Sequence, residues 1–306
     1  MTIDVLIPLL AATIQSGTPI LYATLGEIIT EKSGVLNLGV EGMMLCGALG
    51  AFLAAMFTGS PWLGFLVGGI CGAMMGGLHG VVCLPFQGNQ VVSGLALTIL
   101  GTGLANYWGT PFVGETAPGF APFSLPLLGS LPVIGPIAFQ HDALIYTSYF
   151  LPLVVWFVFQ HTSFGLALRS VGESPDAALA AGINIKACRW AGILIGGFFI
   201  GLGGAYLSLA YTHLWTNGLT AGRGWIAVAL VIFAFWRPGK AVLGAYLFGG
   251  VMAFQFRLQA TGTHIPSSLL MMLPYALTIL VLILSSLKGR SSQAPGALGI
   301  NIEPVD

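Results

Sequence analysis

The chain has 306 residues, of which 56% are hydrophobic and only 7% are charged, and its mean hydropathy is +0.91. Soluble domains carry about 25% charged residues, so this composition excludes an ordinary soluble protein. Basic and acidic residues balance to a net charge of zero, which gives no indication of a nucleic-acid partner. The four cysteines lack the spacing of a metal site or a disulfide framework, and we expect no bound metal.

Apolar runs recur along the whole chain, and most are close to the ~20 residues that cross a bilayer as a helix. We therefore predict an all-α integral membrane protein, a polytopic helical bundle of about nine spans, with a range of eight to ten. The seventh run is short enough to be half a span. In chain order the predicted spans are 5–28, 34–57, 62–84, 91–110, 143–160, 190–211, 224–236, 241–258 and 267–287.

The first two predicted spans contain unusual polar residues. Glu27 and Glu31 fall near the end of the first span, and we expect them at the membrane interface. Asn37 and Glu41 belong to the second span, where a polar group is costly and marks either a solute pathway or a structural pair. Glu41 could shape a pathway, or it could bond to backbone or to an arginine and hold the fold.

Glycines recur on one face of the third and sixth predicted spans, at 68, 72, 76 and 80 and at 192, 196, 197, 201 and 204. Small residues let helices approach closely in a membrane. The pattern predicts close structural packing, with an interface that moves during transport as the alternative.

Amides and aromatic rings cluster near the ends of the fourth and sixth spans. They are Asn106, Trp108, Trp215 and Asn217, and Arg223 precedes the seventh span. Rings beside amides suit a nucleobase or a sugar ring, but aromatic residues also form ordinary belts at membrane interfaces. Arg223 could cap a helix, pair with a carboxylate or face a polar solute.

The distribution of lysine and arginine predicts the orientation. Since positive charge is retained in the cytoplasm, it places the N-terminus outside and the C-terminus inside. Residues 1–290 then form one transmembrane domain, with an outer loop at 111–142, a cytoplasmic loop at 161–189 and a polar cytoplasmic tail at 291–306. Nine spans bring eight of the ten basic residues to one side: Lys32, Arg169, Lys186, Arg189, Arg237, Lys240, Lys288 and Arg290.

The segment RSVGESPDAALAAGINIKACR, residues 169–189, holds five charged residues in this apolar chain. Ser174 is a favoured N-cap and Pro175 suits the first helical position. Asp176 complements the helix dipole, and Gly182 stands where a left-handed C-terminal residue is expected. These signals predict a short helix that is bounded at both ends, either a connecting helix or one that docks a cytoplasmic partner.

The motif GESPDAALAAGINI resembles the cytoplasmic-loop motif of ABC-importer permeases of the ribose, branched-chain amino acid and nucleoside type. EKSGVLNLGVEGMML (31–45) and GRGWIAVALVIFAFWRP (222–238) are most similar to the shorter permease of nucleoside and simple-sugar importers. The resemblance implies a coupling helix that sits in a cleft of an ATPase. The implied coupling residues are Gly172, Glu173, Ser174, Pro175, Asp176, Ala177, Ala178, Ala181 and Gly182, followed by Ile183.

The resemblance implies a non-enzymatic permease of the bacterial inner membrane that imports nucleosides or related small polar solutes, including simple sugars, by alternating access. The implied partners are a separate ATPase, a second and non-identical permease, a solute-binding protein and membrane lipid. No G-x-x-x-x-G-K-[ST] phosphate loop occurs in the sequence, so ATP would be bound by the partner, and we expect no cofactor on this chain. The alternatives are a proton-coupled secondary transporter that uses Glu27, Glu31 or Glu41, and a membrane enzyme, for which no catalytic constellation is visible.

Overall fold

The computed structural model describes residues 3–263, 265–287 and 294–300. A two-stranded antiparallel ribbon, β1 (Phe123–Ser124) and β2 (Gln140–His141), interrupts an otherwise helical chain. The helices are α1 (Ile3–Lys32), α2 (Val40–Thr58), α3 (Pro61–Cys83), α4 (Gln90–Gly109), α5 (Ile134–Ala138), α6 (Ala143–His161), α7 (Ser163–Glu173), α8 (Pro175–Ala180), α9 (Ile185–Tyr206), α10 (Arg223–Ala234), α11 (Pro238–Ala260), α12 (Ser267–Met271) and α13 (Leu273–Leu287).

Seven helices of the described residues are long and apolar enough to cross a membrane: α1, α2, α3, α4, α6, α9 and α11. The prediction of a polytopic helical bundle is therefore confirmed, whereas the count of nine stays a prediction. α10 has 12 residues, or ~18 Å of helix, which is less than the ~30 Å of a bilayer core. The last predicted span is divided into α12 and α13 at Met272.

Several helix bounds differ from the predicted spans. α1 continues to Lys32 instead of ending at 28, and α9 begins at Ile185 instead of 190. α2 begins at Val40, after a largely buried non-helical segment at 35–39 that the apolar pattern predicts as part of the span. The prediction of the orientation rests partly on Lys288 and Arg290, which lie outside the described residues, and it stays a prediction.

α9 lies at the centre of the bundle, in contact with α1, α2 and α3. Four of its glycines, Gly197, Gly201, Gly203 and Gly204, meet the backbone of these neighbours, and Gly192 and Gly196 meet the side chains of Ser33 and Thr30. A methyl group added at Gly72 on α3 would overlap the carbonyl oxygen of Gly197 and lie 2.6 Å from the Cα of Gly201. A methyl group at Gly204 would overlap the carbonyl oxygen of Met44. The prediction of close glycine packing is confirmed, and movement at this interface is untested.

The two ends of the bundle differ in character. One end, which we call the α8 end, holds α7, α8 and the last turn of α1. There the described part of the tail packs back onto the chain, since the Ala297 amide donates to the carbonyl oxygen of Gly172 at 2.9 Å. At the opposite end, the loop 111–142 packs partly onto the bundle. Its Phe120 is buried, and the Phe120 amide donates to the Leu209 carbonyl oxygen at 2.8 Å.

The glycine contacts give a direct prediction. We expect Gly72→Ala to lower the free energy of unfolding by about 1–3 kcal/mol, because overpacking forces the backbones of α3 and α9 apart. Gly77→Ala is the matched control on the same helix, since its added methyl group would meet only the Leu194 side chain, at 3.4 Å. Thermal or denaturant unfolding in detergent measures both variants, and equal stability of the two would contradict the packing described.

Candidate functional site

The short helix α8 forms as its local sequence predicts. The Ser174 hydroxyl accepts from the Ala177 amide at 3.4 Å, and Pro175 is the first helical residue. At the other end, Gly182 has φ +77°, its amide donates to Leu179 O at 2.8 Å, and the Ile183 amide donates to Ala178 O at 3.0 Å. This pair of bonds is the Schellman arrangement. Both predicted ends of the helix are confirmed.

One side of α8 is anchored and the rest is exposed. Ala178 is buried in a small cluster with Val171 of α7 and Ile185 of α9. Leu179 is 48% exposed. The remaining exposed residues of the implied coupling set are Glu173, Ser174, Asp176, Ala177, Ala181 and Gly182, while Gly172 is buried and Pro175 is intermediate. α8 therefore packs on its neighbours at Ala178 and exposes Asp176, Ala177, Leu179 and Ala180.

A second polar site lies inside the bundle, at the first residues of α10. The segment 212–222 leads from the opposite end of the bundle to α10, whose first residues, Arg223 and Gly224, are buried among the other helices. The first amide groups of a helix have no acceptor within the helix itself. The Glu41 carboxylate supplies the acceptors. Its Oε1 accepts from the Thr220 hydroxyl at 2.6 Å and the Gly222 amide at 2.9 Å, and its Oε2 accepts from the Gly224 amide at 2.7 Å.

Glu41 thus bonds to backbone, which was one of the two roles considered for it. A carboxylate at a helix N-terminus is also favoured by the helix dipole. α2 itself begins at Val40, so two helices start side by side around this carboxylate. Gly224 is required for the approach, because a side chain at this position would lie 2.5 Å from the Cα of Glu41.

Arg223, the first residue of α10, is only 4% exposed. Its Nη1 donates to the Thr220 carbonyl oxygen at 3.1 Å, and its guanidinium lies 5.5 Å from the centre of the Tyr211 ring. Its Nε is buried without a hydrogen-bond partner in the described part of the chain. The hydroxyl of Tyr275 on α13 lies beside Gly222. Sequence reasoning missed Thr220 and Tyr275, which no local motif marks.

The carboxylates of α1 are buried inside the bundle. Glu27 is fully buried and Glu31 is 2% exposed, and the expectation that they lie at the level of the membrane interface stays a prediction. The Asn37 amide donates to Glu27 at 3.1 Å, and the Trp236 indole donates to Glu31. α1 extends a full turn beyond its predicted end, to Lys32. Trp236, from a distant part of the sequence, contacts Glu31 in this added turn.

The outer residues fall into separate environments. Asn106 accepts from the Gly218 amide at 3.2 Å, and Asn217 donates to the Thr110 hydroxyl at 3.2 Å. These bonds tie the end of α4 to the segment that leads to α10. Trp215 is fully buried, so it belongs neither to an aromatic belt nor to an open surface, whereas Trp108 is 58% exposed on the outside of the bundle. The structure therefore does not gather these residues into one site.

A family model described as the permease component of the branched-chain amino acid transport system matches residues 9–282. The chain belongs to this permease family. It is therefore a multi-pass membrane protein and a transport component, not an enzyme. The predicted resemblance is confirmed, and the match covers nearly all of the described bundle.

Curated relatives point to the same family. The chain is 47% identical over 256 residues to a putative glucose ABC transporter permease, TsgC13 of Haloferax volcanii, covering 82% of this chain and 78% of the relative. It is 35% identical to the nucleoside ABC transporter permease NupC of Lactococcus lactis, covering 91% and 92%. It is also 35% identical to the guanosine ABC transporter permease NupQ of Bacillus subtilis, covering 97% of both chains. No solved structure matches the chain.

The contacts of Glu41 predict the behaviour of a substitution. Glu41→Ala removes the acceptor of the Thr220 hydroxyl and of the Gly222 and Gly224 amides, and Thr220 and Gly224 are buried. We expect the free energy of unfolding to fall by at least about 2 kcal/mol, because each buried unpaired donor costs about 1–3 kcal/mol. We also expect faster hydrogen exchange over 220–226, measured by mass spectrometry. The control is Glu115→Ala, which removes a carboxylate from an exposed loop position. Unchanged exchange over 220–226 in Glu41→Ala would show that the carboxylate does not hold α10.

Proposed function

We propose that the chain is the permease subunit of an ATP-driven importer for nucleosides or related small polar solutes, including simple sugars. The observation that carries this proposal is the family match over residues 9–282, together with relatives named for nucleoside, guanosine and glucose transport. The two nucleoside relatives align over more than nine-tenths of both chains. The sugar relative is more similar in sequence over a shorter stretch, so both solute classes belong to the proposal.

α8 is the coupling helix in this proposal, and the α8 end of the bundle faces the cytoplasm. Three features support it. The helix is capped at both ends, so it transmits a displacement as a unit. Its side at Ala178 packs on α7 and α9, and its remaining surface, which includes Asp176, Ala177 and Leu179, is open to a partner. The ATPase is a separate polypeptide that contacts this surface.

A displacement of α8 would act directly on α9, the helix at the centre of the bundle. α8 is followed directly by α9, and Ala178 shares a packed cluster with Ile185 at the start of α9. α9 contacts α1, α2 and α3, in several places through backbone at glycines. In alternating access, ATP-driven movement of α8 would therefore act on the central helix rather than on a peripheral one.

The surroundings of the α10 N-terminus are our candidate for part of the solute pathway. Arg223 brings a buried guanidinium with an unpaired Nε, and Tyr211 and Tyr275 bring aromatic rings to the same place. Donors beside aromatic faces suit a nucleobase or a sugar ring. Glu41 has a positioning role here because it holds α10. Asn37, Asn106, Trp108, Trp215 and Asn217 were also considered for the pathway, and their contacts support structural roles or leave them apart from this cluster.

The complete importer in this proposal contains a second, related permease and an extracytoplasmic solute-binding protein, with the N-terminus of this chain outside. Proton-coupled transport is not favoured. Glu41 is engaged by three donors, and Glu31 is held by Trp236. The chain also belongs to a family of transport-system permeases whose curated relatives carry ABC transporter names.

Ala177→Arg tests the coupling helix. This residue is exposed on α8, so an added arginine leaves the bundle intact but obstructs a partner that fits closely. We expect loss of the ATPase subunit on co-purification and at least a tenfold fall in solute-stimulated ATP hydrolysis. Ala187→Arg, also exposed and close to the start of α9, is the matched control. Full assembly and activity of Ala177→Arg, with ATP turnover like that of Ala187→Arg, would contradict the assignment.

Uptake by the reconstituted transporter tests the energy source and the solute class. In proteoliposomes containing the permeases, the ATPase and the binding protein, we expect uptake of labelled guanosine or labelled glucose to require enclosed ATP. A protonophore should leave the rate unchanged. Excess unlabelled solute of the transported class should compete, and solute of the other class should not. Uptake driven by a pH gradient without ATP would refute the ATP-driven importer.

A further inference from the structure

A cavity of about 640 Å³ opens at the α8 end, between the last turns of α1 and α6, α7 and the turn that joins α10 to α11. Its size is within the range of about 300–1,000 Å³ that is usual for small-molecule sites. Its charged lining residues are Lys32, Arg169, Arg237, Lys240 and Glu173. The lining therefore carries four positive groups and one carboxylate, in a chain with no net charge.

The positive groups converge from separate parts of the chain. Lys32 ends α1, Arg169 lies on α7, and Arg237 precedes α11. The Nε of Arg169 is buried with no hydrogen-bond partner among the residues described. Guanidinium groups bind phosphate oxygens through paired, charge-assisted hydrogen bonds. The lining thus suits an anion with several oxygens.

Part of the remaining cavity wall is aromatic. Trp156 and Phe159 contribute from α6, and Phe235 contributes from the turn after α10. Trp156 is 48% exposed, and it continues into an apolar face of α6 on which Leu153 and Phe157 are 62% and 54% exposed. A helix face of this kind, on a helix long enough to span the membrane, is suited to acyl chains. The cavity therefore joins a cationic interior to a lipid-facing surface.

We propose that this cavity binds a phosphate-bearing anion, and that the anion is the head group of an anionic phospholipid whose acyl chains lie along α6. Basic cavities between membrane helices recognise anionic head groups in this way. A soluble phosphate has the same oxygens, but it leaves the aromatic wall and the exposed face of α6 without a role. The inference does not depend on the transported solute or on ATP hydrolysis.

Lipid retention tests the proposal. The full chain is reconstituted in nanodiscs with equal amounts of phosphatidylglycerol and phosphatidylcholine, then released and analysed by native mass spectrometry. We expect the unmodified chain to retain phosphatidylglycerol. In the double variant Arg169→Gln with Arg237→Gln, we expect the affinity for this lipid to fall roughly tenfold or more. The double variant Arg169→Lys with Arg237→Lys keeps the charge and should retain the lipid. Lys186→Gln removes an exposed charge at the same end and should change nothing.

A second measurement on the unmodified chain covers the case in which the glutamine variant does not fold. The unfolding midpoint is followed with added phosphatidylglycerol, phosphatidylcholine or inorganic phosphate. Stabilisation by phosphatidylglycerol alone supports the lipid, and stabilisation by inorganic phosphate alone supports the anion site with a soluble source. No difference among the three additions would overturn the proposal. Loss of the retained lipid when the ATPase joins the complex would also overturn it, because the cavity would then be a protein contact.

Discussion

The structure depends on satisfying the backbone groups of helices that begin inside an apolar bundle. In a membrane the first amides of a helix find no water, so protein atoms must accept from them. α10 begins in the interior, and the Glu41 carboxylate of α2 accepts from the Gly222 and Gly224 amides. The position of α10 is therefore fixed by α2, and α2 is fixed in turn by close backbone contact with α4 and α9 at Gly42 and Gly47.

Local signals predicted local structure well. Ser174, Pro175 and Gly182 specify α8 within a dozen residues, and the structure forms the helix with both caps. The glycine series on α3 and α9 also predicted its own role, because glycine every fourth residue leaves one helix face bare. The family resemblance rested on contiguous motifs of the same kind, and the family match confirms it.

Features that depend on distant partners could not be predicted. Glu31 is buried because Trp236, some two hundred residues later in the chain, donates to it. The place of Trp215 in the core, against Phe52 and Gly109, has no signature in the residues around it. An apolar run does not show where a helix begins or breaks. The sequence therefore predicts one continuous span where the structure has a non-helical segment before α2, and another where it has α12 and α13.

In the proposed function, the docking surface on α8 and the interior polar cluster at α10 lie in different parts of one connected bundle. α8 is anchored to α9, α9 packs on α1, α2 and α3, and α2 carries the carboxylate that holds α10. A partner that moves α8 thus acts on the helices that determine where α10 begins. At Gly72 and Gly204 the backbones of α3 and α2 lie directly against α9, which in the proposed function would favour transmission of such a displacement.

Site-specific photo-cross-linking tests the central claim, that a separate ATPase contacts α8, most directly. A photoreactive amino acid replaces Ala181 in one sample and Asn217, exposed at the opposite end, in another, and each is irradiated in the assembled transporter. We expect Ala181 to form a covalent product with the ATPase subunit and Asn217 to form none. Cross-linking of the ATPase to Asn217, or its absence at Ala181 in an active complex, would contradict the account.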